Sequence, residues 1–174
     1  MAPLEPDIRI VPLERSDLGD LTSMRDDPQV VRFTRMPDPP PVDFFESWFS
    51  RYEDGRVDGT REAFAIVDGE RNVLGIALAP AIDRETATVE LGYVIHGHAR
   101  GRGVATRALE LLTDWAFTEL AAHRLELYIS PANEGSKRVA AKNGYVYEGT
   151  LRSMYFKQAV REDTEIWSKL PSDP

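Results

Sequence analysis

Cysteine is missing from the chain altogether, which removes disulfides, thiolate metal sites and a cysteine nucleophile. Histidine is scarce: His96, His98 and His123 have no partner at metal-ligand spacing, and no Ser-His-Asp arrangement is legible. No uninterrupted apolar run is long enough to span a bilayer. The first residues, Met-Ala-Pro-Leu-Glu-Pro-Asp, have neither the basic region nor the apolar run of a leader peptide. These absences lead to the expectation of a soluble cytoplasmic protein with no membrane partner and no metal. Positive charge is also in deficit: 21 Lys and Arg face 29 Asp and Glu, and the resulting charge of −8 argues against non-specific nucleic-acid binding. The balance suits a cationic partner such as an amine, and it equally serves solubility alone. Repeats, low-complexity tracts and linkers are absent as well. The 174 residues therefore read as a single domain, 1–174, with a frayed tail over 170–174.

What is present is organised around residues 87–147. Thr88–Ile95 is rich in β-branched and aromatic residues, as a buried strand is. After a glycine-rich turn, Val104, Ala108, Leu111, Leu112, Trp115 and Ala116 recur at helical intervals. Arg124–Ile129 reads as a second strand, parallel to the first, and Asn133, Ser136, Val139 and Ala140 are helix-spaced before Asn143-Gly144. Upstream, Ile8–Val11 reads as a short strand that Pro12 ends or places at a sheet edge, and Ser16 or Asp17 as the cap of a helix running to Met24. A stiff Pro-rich loop at 37–41 precedes a helix crowded with Phe44, Phe45, Trp48, Phe49 and Tyr52, then a polar loop from Asp54-Gly55 to Gly59. A hairpin joins Ala63–Asp68 to Val73–Leu78, and two closing strands are expected at Leu151–Phe156 and Thr164–Leu170.

The turn Arg100–Thr106 joins a strand to a helix, so its amides lack helical partners and point outward with the positive helix end. Gly101 and Gly103 let an anion approach the backbone, and Arg100 and Arg102 can add charge; a pyrophosphate is the natural guest. The plainer reading is a tight connection with solvent-facing arginines. A dinucleotide fold would place Gly-x-Gly-x-x-Gly after the first strand, whereas here Thr106 fills the third glycine's place and three strands come earlier. The lysine-bearing phosphate loop of nucleoside triphosphatases is absent.

The string Arg100-Gly101-Arg102-Gly103-Val104-Ala105, with Glu90-Leu91-Gly92-Tyr93 before it and Asn133-x-x-Ser136 and Lys142-Asn143-Gly144-Tyr145 after it, resembles the GNAT acetyltransferase superfamily. The combination looks like the branch holding the ribosomal-protein N-terminal acetyltransferases and their small-molecule relatives. The resemblance implies an α/β GNAT fold, a mixed central sheet of about seven strands with helices on both faces. It implies acetyl transfer from acetyl-CoA to a primary amine, a protein N-terminus or a small molecule, by direct attack in a ternary complex. The cofactor would rest on the backbone of Tyr93, Val94 and Ile95, on the turn Arg100, Gly101, Arg102, Gly103, Val104, Ala105 and Thr106, and on the Asn133 amide. Asn133 also reads as a helix cap in its own right. Ser136 either hands a proton to the leaving thiolate or packs as a small polar residue. Many relatives carry a tyrosine four residues before the Gly-aromatic pair as general acid; Ala140 stands there in this chain.

Strand alternation sets Val89, Leu91, Tyr93 and Ile95 on one face and Glu90, Gly92 and Val94 on the other. A carboxylate on a central strand is costly unless partnered, so Glu90 reads either as the base that takes the proton of the incoming ammonium, or as a partly exposed strand end or half of a structural ion pair with an arginine. The aromatic helix is core or lid packing, or a wall of the acceptor pocket. His96 and His98 are expected to face solvent. The rival to an enzyme is a CoA-binding sensor or scaffold of the same fold that has lost turnover. The oligomeric state stays open, homodimers being frequent among similar proteins.

Overall fold

The chain builds its sheet from Arg9–Pro12 (β1), Glu62–Val67 (β2), Val73–Asp83 (β3), Thr88–Ile95 (β4), Arg124–Ile129 (β5), Val146–Lys157 (β6) and Val160–Lys169 (β7). The computed structural model describes residues 7–174; residues 1–6, on which most of the leader-peptide expectation falls, lie outside them. The sheet order is β1-β2-β3-β4-β5-β7-β6, and every neighbouring pair is antiparallel except β4 and β5. A parallel pair needs a crossover, and the helix Val104–Glu119 (α4) supplies it. α4 lies on one face with Glu134–Lys142 (α5), burying Ala108, Leu109, Leu112 and Ala116 against Val89, Leu91 and Leu125. Leu18–Leu21 (α1), Pro28–Phe33 (α2) and Phe44–Asp58 (α3) cover the opposite face, where Leu21, Met24, Phe49 and Tyr52 meet Ala65, Val67 and Ile76. The expected seven-stranded mixed sheet with helices on both faces is what the chain forms. Among the described residues no helix is long and apolar enough to cross a membrane.

Several boundaries differ from those expected, each for a visible reason. The helix expected from Ser16 or Asp17 to Met24 is broken into α1 with a tight 3-10 turn on either side. Asp17 is not an exposed cap; it is 2% exposed and binds the Arg71 guanidinium at 2.9 Å. The segment ends at Asp27, whose carboxylate accepts from the amides of Gln29 and Val30, so Asp27-Pro28 starts α2. The polar loop from Asp54 to Gly59 is helix up to Asp58. Gly55 sits within α3 because Arg61 packs where a side chain would go, its Cβ 2.6 Å from a Cβ built there. β3 runs on through Pro80 by means of a bulge, described below. The last hairpin is longer than expected, turning at Gln158 and Ala159, both at positive φ. At the end of the chain Lys169 Nζ donates to the Pro174 carbonyl and the Asp173 carboxylate accepts from the Leu170 amide, both at 2.8 Å.

Arg124 on β5 clamps three strands. Its guanidinium donates to both carboxylate oxygens of Glu148 on β6, at 2.9 and 2.6 Å, and Ser168 on β7 donates to Glu148 at 2.6 Å. The Arg124 and Ser168 bonds hold the Glu148 carboxyl down at about 2. A depressed carboxylate stabilises the fold above its unfolded value of 4.5, and that contribution is lost as pH falls toward 2. Glu148→Gln is therefore expected to cost about 1 kcal/mol near neutral pH, discounted for the exposure of the pair. Paired urea titrations should show the difference from wild type closing as pH falls through that window.

Candidate active site

β4 and β5 are paired only over Thr88↔Arg124, Val89↔Leu125 and Glu90↔Glu126. Beyond that point each strand keeps its outer partner. β4 stays on β3 from Gly92↔Leu78 to Ile95↔Gly75, and β5 stays on β7 from Leu127↔Trp167 to Ile129↔Glu165. The two inner edges part, and a cleft of about 1280 Å³ opens between them. The β3–β4 register shifts between Leu78 and Ala81, opposite the place where β4 leaves β5. Pro80 has no N–H for the ladder, so a bulge there costs little pairing and adds local bend. The edge of β4 that faces away from β3 is left unpaired at Tyr93, Val94 and Ile95.

The turn after β4 faces the same cleft. Gly101 and Gly103 have φ of +71° and +79°, and a side-chain carbon at either would meet no atom within 4 Å. The first α4 hydrogen bond runs from the Arg107 amide to the Gly103 carbonyl at 3.1 Å. The amides of Val104, Ala105 and Thr106 thus have no helical acceptor, and they sit at the positive end of a helix beside open space. Arg102 is exposed. Arg100 lines the cleft and is 31% exposed, and its guanidinium already has partners. Its Nε donates to the Ile95 carbonyl at 3.1 Å and its Nη2 to Asp27 at 2.7 Å, so it fastens the turn to the start of α2. His96 departs from expectation: it is 6% exposed and stacks on His98, and burial lowers its pKa.

Glu90 and Ser136 lie on opposite faces of β4, and both line the cleft. The Glu90 side chain is 17% exposed and accepts from Arg35 Nη2 at 2.7 Å. Burial raises its pKa; Arg35 pulls it down, the neighbouring Glu126 pushes it up, and the net direction is upward. On the other face the Tyr93 hydroxyl donates to Ser136 Oγ at 3.2 Å, while Asn133 Oδ1 caps α5 by accepting from the Ser136 amide at 3.1 Å. Burial pushes the Tyr93 hydroxyl up to about 12, so it stays protonated. Only the Tyr93 backbone was marked by the sequence. Its side chain could have been found by noting that strand alternation points it at the helix carrying Ser136.

The aromatic helix α3 splits between both readings. Phe49 is 3% exposed and belongs to the core, whereas Phe44, Phe45, Trp48 and Tyr52 line the cleft. Trp48 and Tyr52 lie against each other with centroids 4.6 Å apart. Arg35, which reaches Glu90 from the chain segment after α2, had no signal in the sequence.

Residues 7–146 match the family model described as the acetyltransferase (GNAT) domain. The chain belongs to the GNAT acetyltransferase family. It is 34% identical over 120 residues to the probable N-acetyltransferase YjcK of Bacillus subtilis, a match covering 69% of this chain and 58% of that protein, less than two thirds of the relative's length. It is 27% identical over 150 residues to spermidine N(1)-acetyltransferase of Escherichia coli, covering 86% and 78%, and 24% identical over 101 residues to that organism's ribosomal-protein-serine acetyltransferase, covering 58% and 56%. Relatives of both kinds occur, so neither branch is singled out. Spermidine N-acetyltransferase from Vibrio cholerae, solved in complex with CoA and spermine, has the same fold, with a TM-score of 0.84 over 96% of this chain and 97% of that one at 21% identity. In this GNAT protein Ala140 is fully buried and offers no hydroxyl to the cleft. Ser136 and Tyr93 line it on α5's side, as do Thr106 at the start of α4 and Ser130 ahead of α5.

Proposed function

We propose that this GNAT protein transfers acetyl from acetyl-CoA to a primary amine by direct attack, with both substrates in the cleft together. The observation that carries the reading is the cleft where β4 parts from β5, which has the glycine turn and α4 amides at one end and Glu90 with the α3 aromatics at the other. Its features fit the cofactor: unpaired strand edge for amides, open space over Gly101 and Gly103, and free helix-terminal N–H groups for a pyrophosphate. The backbone of Tyr93, Val94 and Ile95, the turn from Gly101 to Thr106, and Asn133 would hold it, with Arg100 positioning the turn from behind. Acetyl-CoA supplies the activated acetyl thioester. The carboxylate of Glu90, its proton affinity raised by burial, accepts a proton from the acceptor ammonium. Ser136 Oγ, fed by the Tyr93 hydroxyl, presents a proton at the far side of β4, and the aromatic wall keeps water from the acceptor. Either a protein N-terminus or a small amine fits this chemistry.

The test is thiol release with acetyl-CoA and a panel of peptides and small amines. Steady release of CoA with at least one amine is expected. Tight acetyl-CoA binding with no release across the panel would make the chain a sensor instead. Ser136→Ala is expected to lower kcat, by less than the ~10²-fold scale of general-acid work because a thiolate leaves readily. Tyr93→Phe should act in the same direction, and the double variant should be no worse than Ser136→Ala alone, since one group acts through the other. Unchanged turnover in Ser136→Ala would leave that serine as packing. Acetyl-CoA affinity, read by calorimetry, should stay level in all three.

A further inference from the structure

The acceptor end of the cleft holds more positive charge than a site for a plain amine requires. Arg35, Arg51 and Arg61 all line it, in a chain whose net charge is −8. Of the three, only Arg35 is in an ion pair among the described residues, the one with Glu90. The hydroxyl of Tyr52 lies among them. Tyr52 is 6% exposed, and its hydroxyl makes no hydrogen bond among the described residues. No fully buried side-chain oxygen is left without a partner there, so this one must reach the solvent of the cleft. The leading charges that bear on it are those of Arg61, Glu90, Arg35 and Arg51. Glu162 and Asp163 line the cleft too, from the β6–β7 hairpin, where Glu162 and Arg35 both bear on Tyr155.

Three guanidiniums and an unpartnered phenol under an aromatic wall make a poor seat for a second cation. They make a good one for a planar anion, which two arginines can hold in parallel bonds while the phenol donates a third. We propose that the acceptor is an amine that also carries a carboxylate, of the apolar amino-acid class. Arg51, Arg61 and the Tyr52 hydroxyl take the carboxylate, Glu90 takes the ammonium, and Trp48 and Phe45 meet the apolar body. The proposal rests on the acetyl-transfer reading and narrows it. The Arg35–Glu90 pair then has a use. Arg35 is 63% exposed, so it can swing at small cost. On docking it exchanges Glu90 for the acceptor's carboxylate, while Glu90 exchanges Arg35 for the ammonium. Charge is balanced before and after. A polyamine can satisfy Glu90 but leaves the arginines facing further cations.

The experiment compares kcat/KM for L-phenylalanine, L-leucine, L-methionine and L-tryptophan, each with its amide and its decarboxylated amine, and for spermidine. At least one free acid is expected to exceed its amide and its amine by about tenfold or more, as a site built to hydrogen-bond a group discriminates against its loss. Amidation lowers the pKa of the amine and makes it the readier nucleophile, so preference for the acid reports recognition and not reactivity. Arg51→Gln and Arg61→Gln should each shrink the acid-to-amine ratio, mainly through KM of the acid, with acetyl-CoA affinity by calorimetry unmoved. Equal or better use of the amines, the amides (which mimic the first residue of a peptide) or spermidine overturns the proposal and leaves acetyl transfer standing. Acetyl-CoA binding with no thiol release from any acceptor overturns the transfer reading, and this proposal with it.

Discussion

Replacing Glu90 by Gln is expected to lower kcat by about 10²-fold or more at neutral pH while acetyl-CoA affinity stays level. The carboxylate sits at the last position where β4 pairs with β5, directly opposite Glu126, where the two strands part to open the cleft. Burial there raises its pKa from the usual 4.5. The wild-type rate should therefore fall as pH drops through that raised value, and the Gln variant should lose this limb. Part of its lost rate should return at high pH, where more of the amine is already neutral. Stability separates this role from that of a structural ion pair. A carboxyl whose folded pKa is raised stabilises the fold below its unfolded pKa, and that contribution is lost as pH rises through the folded value. Gln removes the cost of holding the buried charge, and the partner Arg35, 63% exposed, gains little from the pair. Glu90→Gln should thus melt at or above wild type at neutral pH. A variant that melts lower and keeps wild-type kcat would return Glu90 to the scaffold. Arg35→Ala gives a second check: Arg35 lowers the Glu90 pKa, so its loss should move the acidic limb of the rate to higher pH.

How far the site could be read in advance depended on how local each part is. The spans of β4 and β5 and the start of α4 stood in the sequence because β-branched runs, a change of apolar period at Val104 and two glycines all lie within one turn of the features they set. Asn133 was legible for the same reason, since its oxygen reaches an amide only three residues on. The rest is set by distant partners. Gly55 looks like a loop residue until Arg61 is seen to fill the space beside it. Pro80 looks like a strand terminator until the β3–β4 register shows a bulge. Arg100 shows in the sequence as a charge on the turn, but its partner Asp27, distant in the sequence, does not. His96 gave no hint of its burial, because polarity alone does not tell which turn residues a neighbouring element covers. The arginines of the acceptor end come from three separate segments, and an overall acidic composition concealed them. Net charge describes the whole surface, whereas a cleft responds to the few groups that line it.

Gly103→Val is expected to weaken acetyl-CoA binding at least about tenfold, which is ~1.4 kcal/mol. Two effects act together, and they can be separated. The first is space: a carbon placed at Gly103 meets nothing within 4 Å, so a valine side chain would project into the volume over the turn that the pyrophosphate reading requires to be empty. The second is backbone: φ of +79° lies in the left-handed region, where an L-residue pays about 1–2 kcal/mol and a β-branched one is worst placed. If the turn relaxed to escape that strain, the amides of Val104, Ala105 and Thr106 would lose their common aim, and binding would fall for this reason as well. Gly149 serves as a control. It too has positive φ, +157°, and open space around it, but it lies on β6 and does not line the cleft. Gly149→Val should lower the melting temperature without changing acetyl-CoA affinity. Gly103→Ala has the left-handed cost with less bulk, so an affinity between those of wild type and Gly103→Val points to steric exclusion, while equal losses in both point to the lost amide geometry. In either case the turn is the phosphate cradle. A folded Gly103→Val protein that binds acetyl-CoA as tightly as wild type would mean that the pyrophosphate lies elsewhere.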